Sequence, residues 1–249
     1  MGRPFNPQYI ITVLPRLLAF LPVTLFIMAG TVFFGTILGF CLASQRLKKQ
    51  GTGKRLAGAY AGAYITAMRC TPSIVLLFIV YYALPLLSRF FFGVNIDSMY
   101  RGVFVIVTLT LLFAANMAEL MRSAYISVDP GQREAGLALG LGERKTFLLV
   151  ILPQAAVAAL PNFCNALLAL MKEGALAYTI GMIDMMGQGT LIISRNYGAY
   201  GLEIYIALSL VYWALTILIE RGFGLLERFL SRGKSSLETQ KSSAEKVRN

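Results

Sequence analysis

The chain contains no histidine, and among its 249 residues only 12 are acidic and three are cysteine. Each scarcity removes a class of chemistry. Without histidine the commonest metal ligand and general base is missing. Cys41, Cys70 and Cys164 lie inside apolar stretches, where a thiol is a small packing residue, so no disulfide framework is expected. Charged residues make up 14% of the chain against 57% hydrophobic, too few for a soluble domain of this length. No G-x-x-x-x-G-K-[ST] run is present, so no phosphate-cradling loop is expected here. No nucleophile–base constellation suggests an enzyme either.

The apolar residues come in blocks. Leu17 to Ala43 carries no charge, nor does Phe147 to Met171, and each exceeds the roughly 20 residues that cross a bilayer as a helix. The pattern predicts an all-α integral membrane protein with five spans, near 17–43, 61–87, 102–124, 153–177 and 203–225. Pro72 and Pro85 are expected to bend the second span, and Pro153 and Pro161 the fourth. No cleavable leader is evident, because prolines at 4, 7, 15 and 22 interrupt the start and no small-residue cleavage site follows a short apolar core. Residues 1–16 read as an external or interfacial segment, 17–230 as the membrane domain and 231–249 as a disordered cytoplasmic tail.

The net charge of +11 is distributed in a way that points to membrane topology and not to nucleic acid. Arg46, Lys48, Lys49, Lys54 and Arg55 crowd one loop without an acid, and seven basic residues follow from position 221. Lys/Arg excess marks the cytoplasmic side. Five spans with the N-terminus outside put the 46–55 loop, the 125–150 loop and the tail together there. A sixth span through Ala175–Ser194 would place the basic tail outside. Residues 179–195 are instead expected to form a short outward-side helix or scoop sheltered by protein.

The loop at about 127–152 carries the most information. Pro130-Gly131 reads as a turn, and Gln132 to Leu139 favours helix with Glu134 toward its positive end. Gly140 and Gly142 can stop that helix in a left-handed conformation. Ala135, Gly136 and Ala138 are small enough for close approach of a partner. Glu134-Ala135-Gly136, then Gly140, then Leu152-Pro153 resembles the EAA signature of ABC importer permeases, with Gly136 for the second alanine and Val150 for an isoleucine.

Further motifs in the same order resemble the polar amino-acid subfamily (His/Glu/Gln/Arg/opine type). They are Arg69-Cys70-Thr71-Pro72 with Tyr81-Tyr82-Ala83-Leu84-Pro85, Ala118 to Arg122, Asp129 to Gln132, Lys172 to Leu176, and Ile180 to Met185. The resemblance implies a permease subunit of an ATP-driven amino-acid importer in the bacterial plasma membrane, forming half of the pathway. Its loop would couple to separate ABC ATPase subunits through Glu134, Ala135, Gly136 and Gly140. It implies three further partners: a second permease subunit, identical or related, an extracytoplasmic solute-binding protein and an amino-acid substrate. No cofactor would bind this chain, ATP and Mg being held by the ATPase.

An ionised group at mid-bilayer costs roughly 2.5–3.5 kcal/mol on the insertion scale, so it faces a cavity or a partner. Arg69 and Lys172 are candidates for a substrate carboxylate, and Glu119, Glu173 and Asp184 for its ammonium. Asn162 and Asn165 add neutral hydrogen bonds. Each has a plainer reading: Glu119 as a helix-surface pair with Arg122, Lys172 as a snorkelling cation, Arg69 as a donor to carbonyls freed by Pro72. Tyr81-Tyr82 and Met185-Met186 read as packing. The mixed charges leave cationic, neutral and disulfide-linked amino acids such as cystine equally open. The alternative, an ion-gradient-driven secondary transporter, would show paired interrupted spans in both halves.

Overall fold

The computed structural model describes residues 5–47 and 52–246, with side chains described for 5–47 and 56–230. Residues 48–51 of the basic loop, residues 1–4 and residues 247–249 lie outside that description. Ten α-helices follow one another with no strand among the described residues: α1 Pro7–Leu18, α2 Leu21–Leu47, α3 Thr52–Cys70, α4 Ser73–Phe92, α5 Arg101–Ile126, α6 Pro130–Ala138, α7 Glu143–Thr146, α8 Leu152–Gly174, α9 Met185–Arg195 and α10 Gly201–Lys246. A π-helical turn, Phe147–Ile151, leads into α8, and a 3₁₀ turn, Ala175–Ile180, leaves it. Five helical segments are long and apolar enough to span a bilayer: Leu21–Leu47, Ser73–Phe92, Arg101–Ile126, Glu143–Ile180 and Gly201–Leu230.

The expected count of five holds, but the second span is not one bent helix over 61–87. The chain breaks at Thr71-Pro72, where Pro72 takes φ −59°, ψ 135° ahead of α4. Proline lacks the N–H needed to continue the ladder and pushes its predecessor out of the helical region. Thr71 helps close the break, its Oγ1 donating to the Ala67 carbonyl at 2.8 Å. Helix α4 alone then qualifies as the span, and α3 does not.

The core is built on α2 against α5. Thr31, Gly35, Gly39 and Ala43 recur every four residues on the buried face of α2, the small-xxx-small pattern that lets helix backbones approach within a membrane. A Cβ on Gly35 would lie 2.7 Å from Phe113 Cδ1, and one on Gly39 2.6 Å from Met117 Cβ. Because 35 meets 113 and 39 meets 117, the two helices run parallel. Their C-terminal ends therefore share the end of the bundle that carries the α6–α7 loop. Ile27, Phe104, Val105, Leu109, Phe113 and Met117 centre this core, which Leu167 and Leu170 of α8 complete.

A second core lies at the opposite end. Val13 and Leu17 of α1 bury against Met185 and Ile192 of α9 and Ile204, Ala207 and Leu208 of α10. The Asn6 N–H donates to Glu203 Oε1 at 2.9 Å, and Tyr9 stacks on Tyr200 with centroids 3.8 Å apart. The N-terminal segment, expected to be external or interfacial over residues 1–16, contains α1, which docks here on α9 and α10. At the other terminus α10 is described to Lys246, while the side chains of the expected cytoplasmic tail, 231–249, lie outside the described residues.

Candidate functional site: the loop between the third and fourth spans

Helix α6 starts where the Asp129 carboxylate accepts the Gly131 N–H at 2.7 Å and Pro130 occupies its first turn, a pairing suited to a helix start. The acid at the positive end is therefore Asp129, with Glu134 one turn further in. The helix ends on Gly140 at φ +79°. The Gly140 N–H donates to the Leu137 carbonyl at 2.9 Å, and the Leu141 N–H to that of Gly136 at 3.1 Å. These two bonds are those of a Schellman cap around a left-handed residue, where glycine carries no Cβ penalty. Gly142, expected to help stop the helix, instead takes φ −68° and starts α7.

The loop is folded on itself. Gly136 is its buried residue in α6, and a Cβ there would meet Thr146 Cγ2 at 2.6 Å. Its smallness thus serves packing of α6 on α7, where close approach of a partner is the sequence reading. Arg133 grips Glu143 with two bonds, Nε to Oε2 at 3.1 Å and Nη2 to Oε1 at 2.5 Å. Gln154 at the start of α8 donates to Gln132 Oε1 at 3.2 Å. The outward face then presents Glu134, Ala135 and Ala138, with Leu139 82% exposed. A compact helix offering one acid, small residues and a bare leucine is a surface suited to another protein's groove.

The charged residues of the membrane segments do not meet in one pocket. Glu119 sits near the loop end of α5, its Oε2 taking Arg46 Nη1 at 2.8 Å and its Oε1 taking Arg122 Nε at 2.9 Å and also Nη2. Arg69 is exposed at the end of α3. Asn162 and Asn165 fall roughly 15 and 20 Å along α8 at 1.5 Å per residue, with Lys172 and Glu173 near its far end. Asn162, Asn165, Ala169 and Lys172 share helical spacing and all are exposed, so the three polar members form a stripe on an apolar span. Glu173 is half-buried beside it. Asp184 is fully buried beyond the spans, capping α9 through the Gly187 N–H at 2.8 Å. Burial pushes its carboxyl above the usual carboxylate range against the lowering by backbone N–H groups. Met185, Met186 and Tyr81 are packing residues, as expected, whereas Tyr82, also expected to pack, is 65% exposed.

Four residues escape the sequence reading. Arg46 is legible there only as loop charge, and Thr146 carries no signal without its contact to Gly136. Glu220 and Glu227 of α10 line, with Asn165, a cavity of about 220 Å³ between α8 and α10. Their i, i+7 spacing in a hydrophobic helix is the signal that could have found them.

Comparisons with known proteins fit this architecture. The L-cystine transport system permease protein TcyL of Bacillus subtilis (strain 168) is 38% identical over 240 residues, covering 96% of this chain and 97% of TcyL. The octopine transport system permease protein OccM of Rhizobium radiobacter is 32% identical over 227 residues, 90% of this chain and 89% of OccM. A chain from the crystal structure of an amino acid ABC transporter with histidines superposes with a TM-score of 0.76 at 26% identity, over 91% of this chain and 99% of that one. A chain of the inward-facing MetNI methionine ABC transporter gives 0.68 at 21% identity, covering 87% and 96%, a likeness of fold. Residues 35–232 match the family described as binding-protein-dependent transport system inner membrane component. With its five spans, the chain belongs to that family, as a multi-pass protein of the bacterial plasma membrane.

Proposed function

We propose that this chain is the membrane-spanning subunit of an ATP-driven amino-acid importer, two such subunits enclosing the pathway. The observation that carries it is the self-capped α6, held by Gly136–Thr146 and Arg133–Glu143 while Glu134, Ala135 and Leu139 face outward. An ATPase subunit, holding ATP and Mg, would seat this helix. The basic 46–55 loop and the residues from 221 orient the α6 end to the cytoplasm and α1 to the outside. A solute-binding protein would deliver substrate at that outer end.

The stripe Asn162, Asn165, Lys172 supports the pathway reading. Amides and a cation on a bare helix face are costly against lipid, and a second permease subunit facing them would close a polar passage. Lys172 and Arg69 are the candidates for the substrate carboxylate and Glu173 for the ammonium, since Asp184 is sealed off and both oxygens of Glu119 are taken by Arg46 and Arg122. The amino acid named for TcyL makes cystine the first substrate to try. Access can switch only if nucleotide and substrate bind the two states unequally. The comparisons give no support to an ion-gradient-driven transporter.

The test is co-purification with the candidate ATPase, wild type against Glu134→Lys plus Gly140→Pro, followed by uptake of labelled cystine, arginine and glutamine into proteoliposomes. ATPase capture by wild type alone, with ATP-dependent uptake, is expected. Uptake driven by an ion gradient without ATPase would overturn the proposal.

A further inference from the structure

Glu119 is held from both sides by residues that belong to different spans. Arg46, in the last turn of α2, takes one carboxylate oxygen, and Arg122, one turn along α5, takes the other. All three side chains are about one-third exposed. Ion pairs this exposed add little net stability; what this one does is tie the last turn of α2 to α5 just above the loop, beyond the Gly39–Met117 contact.

The other exit from the loop is built differently. Where α5 passes through Ser127, Val128 and Asp129 into α6, the return to α8 goes through the π turn Phe147–Ile151, a rare element found mostly at functional sites. Between the two exits opens an apolar groove of about 570 Å³, lined among others by Ser44 and Leu47 of α2, Met121 and Tyr125 of α5, and Ala155 and Ala159 of α8. One arm is pinned to its neighbour, and the other has an irregular joint and a groove beside it.

We propose that the Arg46–Glu119–Arg122 clamp is the positioning element that makes α2 and α5 a single arm for displacement of α6, while the π turn and groove let α8 move separately. This rests on the importer reading above. Loss of the clamp leaves α6 folded and able to bind the ATPase, but its movement is spent bending α5 away from α2. The result is hydrolysis with less transport.

The experiment uses the reconstituted complex of permease, ATPase and solute-binding protein, and reads substrate imported per ATP hydrolysed alongside ATPase co-purification and uptake KM. Glu119→Gln and Arg46→Gln are each expected to lower the import-to-hydrolysis ratio roughly fivefold or more, the low end of a coupling interaction. ATPase capture and KM stay unchanged, and the double variant is no worse than either single one. Arg46→Lys restores most of the ratio. An unchanged ratio in Arg46→Gln overturns the proposal, as does a raised KM confined to Glu119→Gln, which would make Glu119 a substrate contact. Failure of wild type to capture any ATPase would instead overturn the importer reading. Should Glu119→Gln fail to insert, Arg46→Gln, which removes one limb of the clamp, decides alone.

Discussion

Gly136 and Thr146 touch so closely that a methyl group on the first would sit 2.6 Å from Cγ2 of the second. Gly136→Ala is therefore expected to prise α7 from α6, at the roughly 1–3 kcal/mol of an overpacked contact. ATPase capture should fall with it. Thr146→Ser removes the offending methyl and leaves Oγ1, 3.1 Å from the same point, as the nearest obstacle. The double variant Gly136→Ala, Thr146→Ser should recover capture in a pull-down; a double variant as weak as the single one would disprove the seam.

Gly140 bears on the same helix through its backbone. At φ +79° an alanine is strained by about 1–2 kcal/mol, while asparagine tolerates the region better. ATPase retention should rank wild type above Gly140→Asn, and that above Gly140→Ala, in a titration of the solubilised complex. Equal retention by all three would mean that the cap is not needed for docking.

How much of this is readable in the residues differs from feature to feature. The helix around Glu134 and its stop at Gly140 are legible because turn, propensity and glycine act locally. The departure from the EAA pattern at Gly136 is visible but not its cause, which is a side chain on the far side of a turn. Pro72 and Pro85 look alike in sequence. Pro72 ends a helix and Pro85 rides inside one, since surrounding spans can satisfy a freed carbonyl. A spacing of three pairs Glu119 with Arg122 correctly, but Arg46 enters through the parallel packing of α2 and α5. The clamp is therefore beyond any local pattern.

The glycines of α2 invite a harsher test. Gly39→Leu would drive a side chain into Met117 Cβ and the Ala114 carbonyl, 2.6 and 3.0 Å from the new Cβ. Backbone cannot give way, so the protein should fail to accumulate in membranes. Gly30→Ala, facing the flexible end of Ile106 at 3.3 Å, should accumulate normally. Immunodetection of membrane fractions distinguishes the two.

Asp184 yields a prediction in pH. Burial raises its folded pKa above the unfolded value, so the stability it contributes is present below the ordinary carboxylate range and lost as pH rises through the folded pKa. Asp184→Asn keeps an oxygen for the Gly187 N–H and carries no charge. Its Tm relative to wild type should thus climb as pH goes from about 4 to about 8. A flat difference across that range would contradict the assignment. Because the side chain is sealed off, uptake KM should not move.

The bond from Asn6 to Glu203 spans 197 residues, and it sets an order on biogenesis. The surface that receives Val13 and Leu17 is supplied by α9 and α10, which leave the ribosome after every other span. Until then α1, with one apolar face and prolines at 7 and 15, can rest in the headgroup layer, and its packing is complete only once α9 and α10 have been made.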